Sequence, residues 1–225
     1  MGLENSVGDS EVCGRTFEAY VYEVANSRGM HVTHLACSGA TMGDLFTQQG
    51  VSGPNVEPQL DIAFINGTPE LITITAGAND IHWDDFLRKC YSSTCGTSAD
   101  ERIASGLFAV LELKMQLVFS DIERRSSGSP PEVIMTGYYN PLSDHCAEIE
   151  PRLTLDEIAW LDEQTALLNQ TLEDAARQSS FVDFVPIDFS GHDICSDDPW
   201  VQTLDDPAPF HPTARGQQAI AEAVL

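Results

Sequence analysis

The chain has 225 residues, which is enough for one well-buried α/β domain, and no Pro/Gly/Ser-rich linker divides it. We therefore expect a single domain over residues 1–225. Its 35 acidic and 11 basic residues give a formal net charge of −24, and such a surface repels nucleic acid and anionic membranes. No stretch reads as an uninterrupted membrane span, so we expect no stable membrane insertion. We also expect a monomer that does not bind nucleic acid.

The first residues and the cysteines give opposite indications about the compartment. Met1 to Asn5 lack the basic and apolar regions of a signal peptide, and residues 1–14 read as a polar loop. Six cysteines without CxxC spacing favour disulfides formed outside the cytosol. Cys90 and Cys95 enclose a short loop suited to a local disulfide. We therefore expect a secreted protein whose natural N-terminus precedes Met1.

The first predicted elements lead to a glycine turn. Thr16 is a plausible N-cap for a helix over 17–26, which Gly29 closes. Residues 31–36 are predicted to form a short strand, and this strand ends in Cys37-Ser38-Gly39-Ala40. A short helix near 41–48 follows.

The next predicted strand is a β-branched apolar run over 71–75 that stops at Gly77-Ala78-Asn79-Asp80. Apolar residues without regular alternation suit a strand covered on both faces, as in a parallel sheet flanked by helices. Functional residues collect at the carboxyl ends of such strands. The Asn79 side chain is a neutral amide that can donate to an oxyanion, although an Asx-type turn that starts a helix would also explain it.

Strands and helices continue to alternate to the end of the chain. Capping boxes are predicted at Ser98 with Glu101 and at Thr154 with Glu157, each before a long helix. The remaining predicted elements are a helix over 81–90, strands over 133–135 and 181–187, and a last helix opened by Pro212. The inward positions of the two long helices are predicted as Ile103, Leu107, Val110, Leu111, Met115 and Val118, and as Ile158, Leu161, Leu168, Leu172 and Ala175. This alternation predicts a doubly wound, three-layer α/β fold with a parallel sheet.

One histidine suits a general base. His211 lies in Pro209-Phe210-His211-Pro212, a rigid turn before the last helix, although a capping or surface role would also fit. His31 and His34 would point to opposite faces of a strand, so a shared metal ion is not expected there. No group of histidines and acidic residues has the spacing of metal ligands, so we expect neither a metal nor another cofactor.

Cys37-Ser38-Gly39-Ala40, Gly77-Ala78-Asn79-Asp80 and His211-Pro212-Thr213 occur in this order. With Thr136-Gly137-Tyr138 and Phe189-Ser190-Gly191-His192, they resemble the SGNH (GDSL-like) hydrolases, particularly secreted actinobacterial lipases and esterases with three disulfides. The resemblance implies a flavodoxin-like fold, a serine nucleophile and a histidine base that matches His211. It also implies an oxyanion hole in which Gly39 supplies a backbone N–H and Asn79 a side-chain amide.

The nucleophile is the least defined part of this pattern. The family carries its serine in a Gly-Asp-Ser turn directly after a buried strand, and Gly8-Asp9-Ser10 has these letters. However, residues 1–7 do not read as an apolar strand, and only Glu11 and Val12 separate Ser10 from Cys13. We therefore expect the first strand and the nucleophile to precede Met1, and Ser10 is the other candidate.

The resemblance also bears on the partner of His211 and on the disulfides. Many family members have an aspartate three residues before the histidine, where this chain has Ala208. A main-chain carbonyl near Ala208 could orient the ring instead, and Asp205 or Asp206 could do so only if the loop folds back. The other disulfides implied by the family are Cys13–Cys37 and Cys146–Cys195.

Two functions remain open from the sequence. The first is a secreted esterase or lipase that hydrolyses carboxylic esters of small molecules or lipids through an acyl-enzyme. The second is a secreted protein of the same fold that binds a partner without catalysis. A serine placed at the end of a buried strand distinguishes the two.

Overall fold

A computed structural model describes residues 12–50, 56–150 and 152–225 of the chain. Its sheet has three parallel strands: β1 (Leu71–Ile74), β2 (Glu132–Thr136) and β3 (Val182–Val185). They lie side by side in chain order, with β2 in the centre. Ile72 pairs with Val133, and Val133 pairs with Val182, so the three strands end at the same edge of the sheet.

Helices follow each strand and precede the first. The α-helices are α1 (Tyr20–Arg28), α2 (Gln59–Ala63), α3 (Trp83–Ser92), α4 (Ser98–Arg125), α5 (Cys146–Ile149), α6 (Leu155–Arg177) and α7 (Ala214–Val224). A 3-10 helix, Met42–Leu45, stands where the sequence predicted a short helix over 41–48.

The central strand divides the apolar core into two layers. Val133 and Met135 of β2 face a cluster that includes Leu111 of α4 and Leu168 of α6. Ile134 faces the opposite cluster, which contains residues of α1 and α7. Because successive side chains of a strand point to opposite faces, β2 is covered on both sides. The fold is therefore the predicted three-layer α/β arrangement with an open parallel sheet.

The two long helices start at capping boxes. Thr154 and Glu157 cap α6 as predicted, and the five predicted inward residues of this helix are buried. On α4 the predicted box of Ser98 with Glu101 is wrong by one position. Thr97 has the extended backbone of an N-cap and forms the box with Asp100, whereas Ser98 is already helical.

Helix α4 also corrects two inward positions. Ile103 and Val110 are 57% and 49% exposed, because the buried face of the helix contains Ala104 together with the predicted Leu111 and Val118. By length and composition alone α4 could span a membrane, contrary to our reading of the sequence. In this fold it packs against the 3-10 helix and α6, as a core helix does.

The predicted strand over 31–36 is wrong. These residues have no strand assignment. The guanidinium of Arg15 donates to the carbonyls of Leu35 and Ala36 at 3.2 and 2.7 Å. These carbonyls are therefore bound by a side chain rather than by a neighbouring strand, and an apolar run without such a ladder stays irregular.

Three disulfides are present, Cys13–Cys37, Cys90–Cys95 and Cys146–Cys195, which are the pairs expected from the sequence and the family resemblance. The first joins the segment before α1 to the turn that contains Gly39. The third joins α5 to the segment that follows β3.

Candidate active site

The turn around Gly39 presents a backbone N–H at the surface. Ala40 N donates to Cys37 O at 3.1 Å, and Gly39 adopts a left-handed conformation with φ 76°. Ser38 N donates to Cys13 O at 3.0 Å, so the disulfide partner also supports the turn. The Gly39 N–H donates to no acceptor among the described residues.

Asn79 lies just beyond the end of β1, next to this turn. Its Nδ2 donates to Ala40 O at 2.9 Å. An amide nitrogen carries two hydrogens, so this bond leaves the second N–H for another acceptor. The structure thus brings the Gly39 turn and the Asn79 amide side by side, as an oxyanion hole requires.

Gly77 allows the chain to leave the strand in this way. Its φ is 130°, a conformation that residues with a Cβ avoid. A Cβ here would also lie 3.2 Å from Leu168 and 3.3 Å from Leu172 of α6. Glycine therefore provides both the turn and the close approach to α6.

Asp80 connects the same loop to two other elements. Its carboxylate is buried, accepts from Met42 N at 2.8 Å and lies 2.7 Å from Nζ of Lys114 on α4. The segment after Gly39 and the loop of Asn79 are therefore tied together twice, once by Asn79 to Ala40 and once by Asp80 to Met42.

His211 is exposed, and its ring is oriented by the main chain. Nδ1 lies 3.1 Å from Pro209 O. A carbonyl can only accept, so Nδ1 carries the hydrogen and Nε2 of the neutral ring is an acceptor. Of the alternatives considered from the sequence, a main-chain carbonyl near Ala208 fits, and this carbonyl is that of Pro209. Asp206 instead accepts from Thr203 at 2.7 and 2.8 Å.

The loop of His211 is held by its neighbours. Gln202 N donates to His211 O at 2.7 Å, and Phe210 N donates to Gln202 O at 2.9 Å. The Tyr139 hydroxyl, which follows β2, donates to Phe210 O at 2.7 Å. The ring of Phe210 packs edge-on against Trp83 at 6.0 Å between centroids. Because Trp83 lies only four residues after Asn79, this contact links the His211 loop to the segment of Asn79.

The remaining candidates lie elsewhere or outside the described residues. Ser10 is among the residues that the structure does not describe. Cys146, Asp193 and Cys195 form a cluster with ligand-type atoms, but both sulfurs belong to one disulfide and therefore hold no metal. His192 stacks on Trp200 at 3.8 Å and bonds Asp198 O, which supports a loop.

Sequence reasoning missed Tyr139 and Asp80 as supports of the site. Tyr139 stands 71 positions before the carbonyl that it binds. The one local signal was its place in Gly137-Tyr138-Tyr139, directly after the central strand, where functional residues collect.

The chain is similar to proteins of a known family. Residues 5–219 match the GDSL-like Lipase/Acylhydrolase family. A lipase from Streptomyces rimosus is 26% identical over 96% of this chain and 78% of its own length, and Lipase 2 from Streptomyces coelicolor is 27% identical over 95% and 77%.

Solved structures show the same fold. An extracellular lipase from Streptomyces rimosus superposes with a TM-score of 0.75 at 24% identity, covering 99% of this chain and 93% of that one. Phospholipase A1 from Streptomyces albidoflavus gives a TM-score of 0.75 at 22% identity, covering 99% and 92%. The family match spans nearly the whole chain, and the chain belongs to the GDSL-like lipase/acylhydrolase family of serine ester hydrolases.

Proposed function

We propose that the protein hydrolyses carboxylic esters through an acyl-enzyme, with His211 as general base and with Gly39 and Asn79 as oxyanion donors. The observation that carries this proposal is the bond from Asn79 Nδ2 to Ala40 O. This bond holds the Asn79 amide against the residue that follows Gly39 and uses one of its two hydrogens, which supports the pairing of these two donors.

The proposed reaction begins at a serine. The serine Oγ attacks the ester carbonyl and passes its proton to Nε2 of His211, while the carbonyl oxygen becomes an oxyanion between Gly39 and Asn79. The imidazolium then gives the proton to the departing alcohol. Water attacks the acyl-enzyme in the second half-reaction, with His211 again accepting the proton, and the serine is released with the carboxylic acid.

Main-chain support for His211 suits this role. The Pro209 carbonyl holds the hydrogen on Nδ1 and carries partial negative charge, which stabilises the imidazolium formed during attack. Ser10 is the candidate nucleophile within this sequence, because it carries the letters of the family's Gly-Asp-Ser motif.

We also propose that the whole chain acts as one secreted, monomeric domain. The three disulfides favour an oxidising compartment, and one relative of known structure is named an extracellular lipase. The substrate class is supported by the relatives named lipases and by the phospholipase of the same fold.

The proposal is tested by hydrolysis of p-nitrophenyl acetate by the wild type and by His211→Asn. We expect kcat to fall by about 10²–10⁴, the usual contribution of a general base. His145→Asn is the matched control, since that histidine is exposed and lies 3.4 Å from Glu148. Wild-type turnover by a folded His211→Asn protein would overturn the proposal, and so would a wild type that hydrolyses no ester.

A further inference from the structure

A buried ion pair lies next to the proposed oxyanion hole. Asp80 directly follows Asn79, its side chain is completely buried, and its Oδ1 lies 2.7 Å from Nζ of Lys114 on α4. Its Oδ2 accepts from Met42 N at 2.8 Å. The chain has two lysines, and the other one, Lys89, also pairs with a buried aspartate. Both lysines therefore lie where a buried carboxylate needs a cation.

The Asp80 carboxylate has a favourable and an unfavourable effect on the site. As an ionised acceptor it binds Met42 N more strongly than a neutral group would, and this bond fixes the segment after Gly39 to the loop of Asn79. An unpaired negative charge beside Asn79 would, however, repel the oxyanion that forms on the substrate, because charges interact strongly in the poorly screened interior. A cation paired with the carboxylate offsets this repulsion.

The charge of Asp80 acts on the same loop. The hydroxyl oxygen of Tyr138 accepts from the N–H of Ala78, the residue before Asn79, at 3.3 Å. Burial raises the pKa of this hydroxyl, and the carboxylate of Asp80 raises it further. The formal net charge of −24 adds negative potential over the whole molecule. An uncompensated carboxylate at position 80 would therefore oppose an oxyanion in a protein that is already strongly acidic.

We propose that Lys114 is a positioning residue for ester hydrolysis, whose ammonium group cancels the charge of Asp80. The carboxylate can then hold Met42 N without opposing the oxyanion at Gly39 and Asn79. The inference rests on the proposed ester hydrolysis and deepens it, since it assigns to Lys114 an electrostatic role that acts through Asp80. If the pair only held the fold together, removal of either partner would have the same effect.

Four variants separate a charge role from a structural role. Lys114→Met removes the cation and keeps a long unbranched side chain, whereas Lys114→Arg keeps the charge. Asp80→Asn removes the negative charge and keeps an oxygen that can accept from Met42 N. The double variant Asp80→Asn/Lys114→Met carries neither charge. Lys89→Met is the matched control, because its partner Asp100 caps α4 and does not adjoin a proposed oxyanion donor.

The experiment measures kcat and KM for p-nitrophenyl acetate, with the melting temperature of each variant. We expect Lys114→Met to lower kcat by about tenfold and to change KM by less than about twofold, because the oxyanion charge is present mainly in the transition state. Lys114→Arg, Asp80→Asn and the double variant should each stay within about threefold of the wild-type kcat. Lys89→Met should lower the melting temperature and leave kcat unchanged.

Two results would overturn this role of Lys114. One is a wild-type kcat in a folded Lys114→Met protein. The other is a loss of about tenfold or more in folded Asp80→Asn, which would assign the pair to the structure of the loop, and this comparison stands by itself if Lys114→Met does not fold. Hydrolysis of p-nitrophenyl acetate by the wild type shows in either case that the proposed function stands, and its absence would refute that function separately.

Discussion

Asn79 is held in place by a hydrogen bond of its own side chain and by the contacts of the next residue. Its amide bonds Ala40 O, and the next residue, Asp80, accepts from Met42 N and pairs with Lys114. A donor fixed before the substrate arrives costs no reorganisation when charge develops on the substrate oxygen. We therefore expect the pairing of Asp80 to support catalysis through the position of Asn79.

We predict that Asn79→Ala lowers kcat for p-nitrophenyl acetate by about 10²–10³, the usual effect of removing one oxyanion donor. KM should change little, because the donor acts mainly on charge present in the transition state. Asn66→Ala, at an exposed asparagine, is the control. Unchanged hydrolysis by a folded Asn79→Ala protein would remove Asn79 from the mechanism.

Tyr139 positions His211 through the backbone of Phe210. Burial raises the pKa of the Tyr139 hydroxyl, so it remains a neutral donor throughout the pH range of the assay. Tyr139→Phe deletes this donor while keeping the ring that stacks on Phe189. We expect kcat to fall about 3- to 10-fold with KM nearly unchanged, since a bond of about 1 kcal/mol is lost.

The control for this prediction is Tyr22→Phe, which removes a hydroxyl from a half-buried tyrosine of α1. A purely structural role for Tyr139 would lower the melting temperature and leave kcat at its wild-type value. That result would contradict a positioning role.

The site residues differ in how far the sequence could predict them. Gly39, Asn79 and His211 stand in local motifs, at turns or before a helix, and a resemblance can assign such motifs. The supporting contacts of Asp80 and Tyr139 depend on which segments meet in the folded chain. No local pattern encodes a bond such as that of Tyr139, whose acceptor lies 71 positions away.

At the scale of elements, the start of α4 is a buried polar junction. Asp100 is buried, caps the helix together with Thr97 and pairs with Lys89 of α3. Burial alone would raise the pKa of Asp100, but the hydrogen bonds from Lys89 and Thr97 outweigh it and hold the pKa below its ordinary value. The ionised carboxylate therefore stabilises the fold.

We predict that Asp100→Asn lowers the free energy of unfolding at pH 7 by about 1–2 kcal/mol, because a helix cap and a charged hydrogen bond are weakened. The pKa of Asp100 is lower in the folded than in the unfolded state. Its contribution is thus complete above the unfolded value of about 3.9 and declines as the pH falls through the folded value.

Urea unfolding at pH 7 and at acidic pH tests this prediction. The difference between wild type and Asp100→Asn should shrink on acidification. Asp156→Asn, at an exposed aspartate in the first turn of α6, should have a smaller effect at pH 7. A difference between Asp100→Asn and wild type that grows below pH 4 would be the wrong sign for this account.

The Cys13–Cys37 disulfide links stability to the site. The chain-entropy estimate for a separation of 24 residues is about 3.5 kcal/mol. Replacing both cysteines by serine should therefore lower stability by about that amount and lower kcat as well, because the Gly39 turn loses its anchor. The control is serine at both Cys90 and Cys95, with a separation of 5, which should lower stability less and spare kcat. Equal losses of kcat in both double variants would contradict a specific effect of the Cys13–Cys37 disulfide on the Gly39 turn.

Element prediction succeeded where a local signal and a tertiary partner agreed. The apolar run 71–75 and the capping box of Thr154 correspond to β1 and α6. The run 31–36 has the composition of a strand, but Arg15 binds two of its carbonyls. Strand formation depends on a neighbouring backbone, which local composition does not report.

At the scale of the whole molecule, the order of elements was the strongest signal. Alternation of strands and helices allows few topologies, and a central strand buried on both faces leaves the three-layer arrangement. The charge of −24 adds a constraint on partners rather than on fold.

The central claim is that Gly39, Asn79 and His211 serve one serine that is acylated during ester hydrolysis. Its most direct test is fluorophosphonate labelling of the protein, with mass-spectrometric mapping of the label. We predict one phosphonyl group on a single serine, loss of ester hydrolysis in proportion to labelling, and no labelling in His211→Asn. A label on Ser10 would identify Ser10 as the nucleophile. Ester hydrolysis that persists after complete labelling, or labelling at the wild-type rate in His211→Asn, would contradict the account.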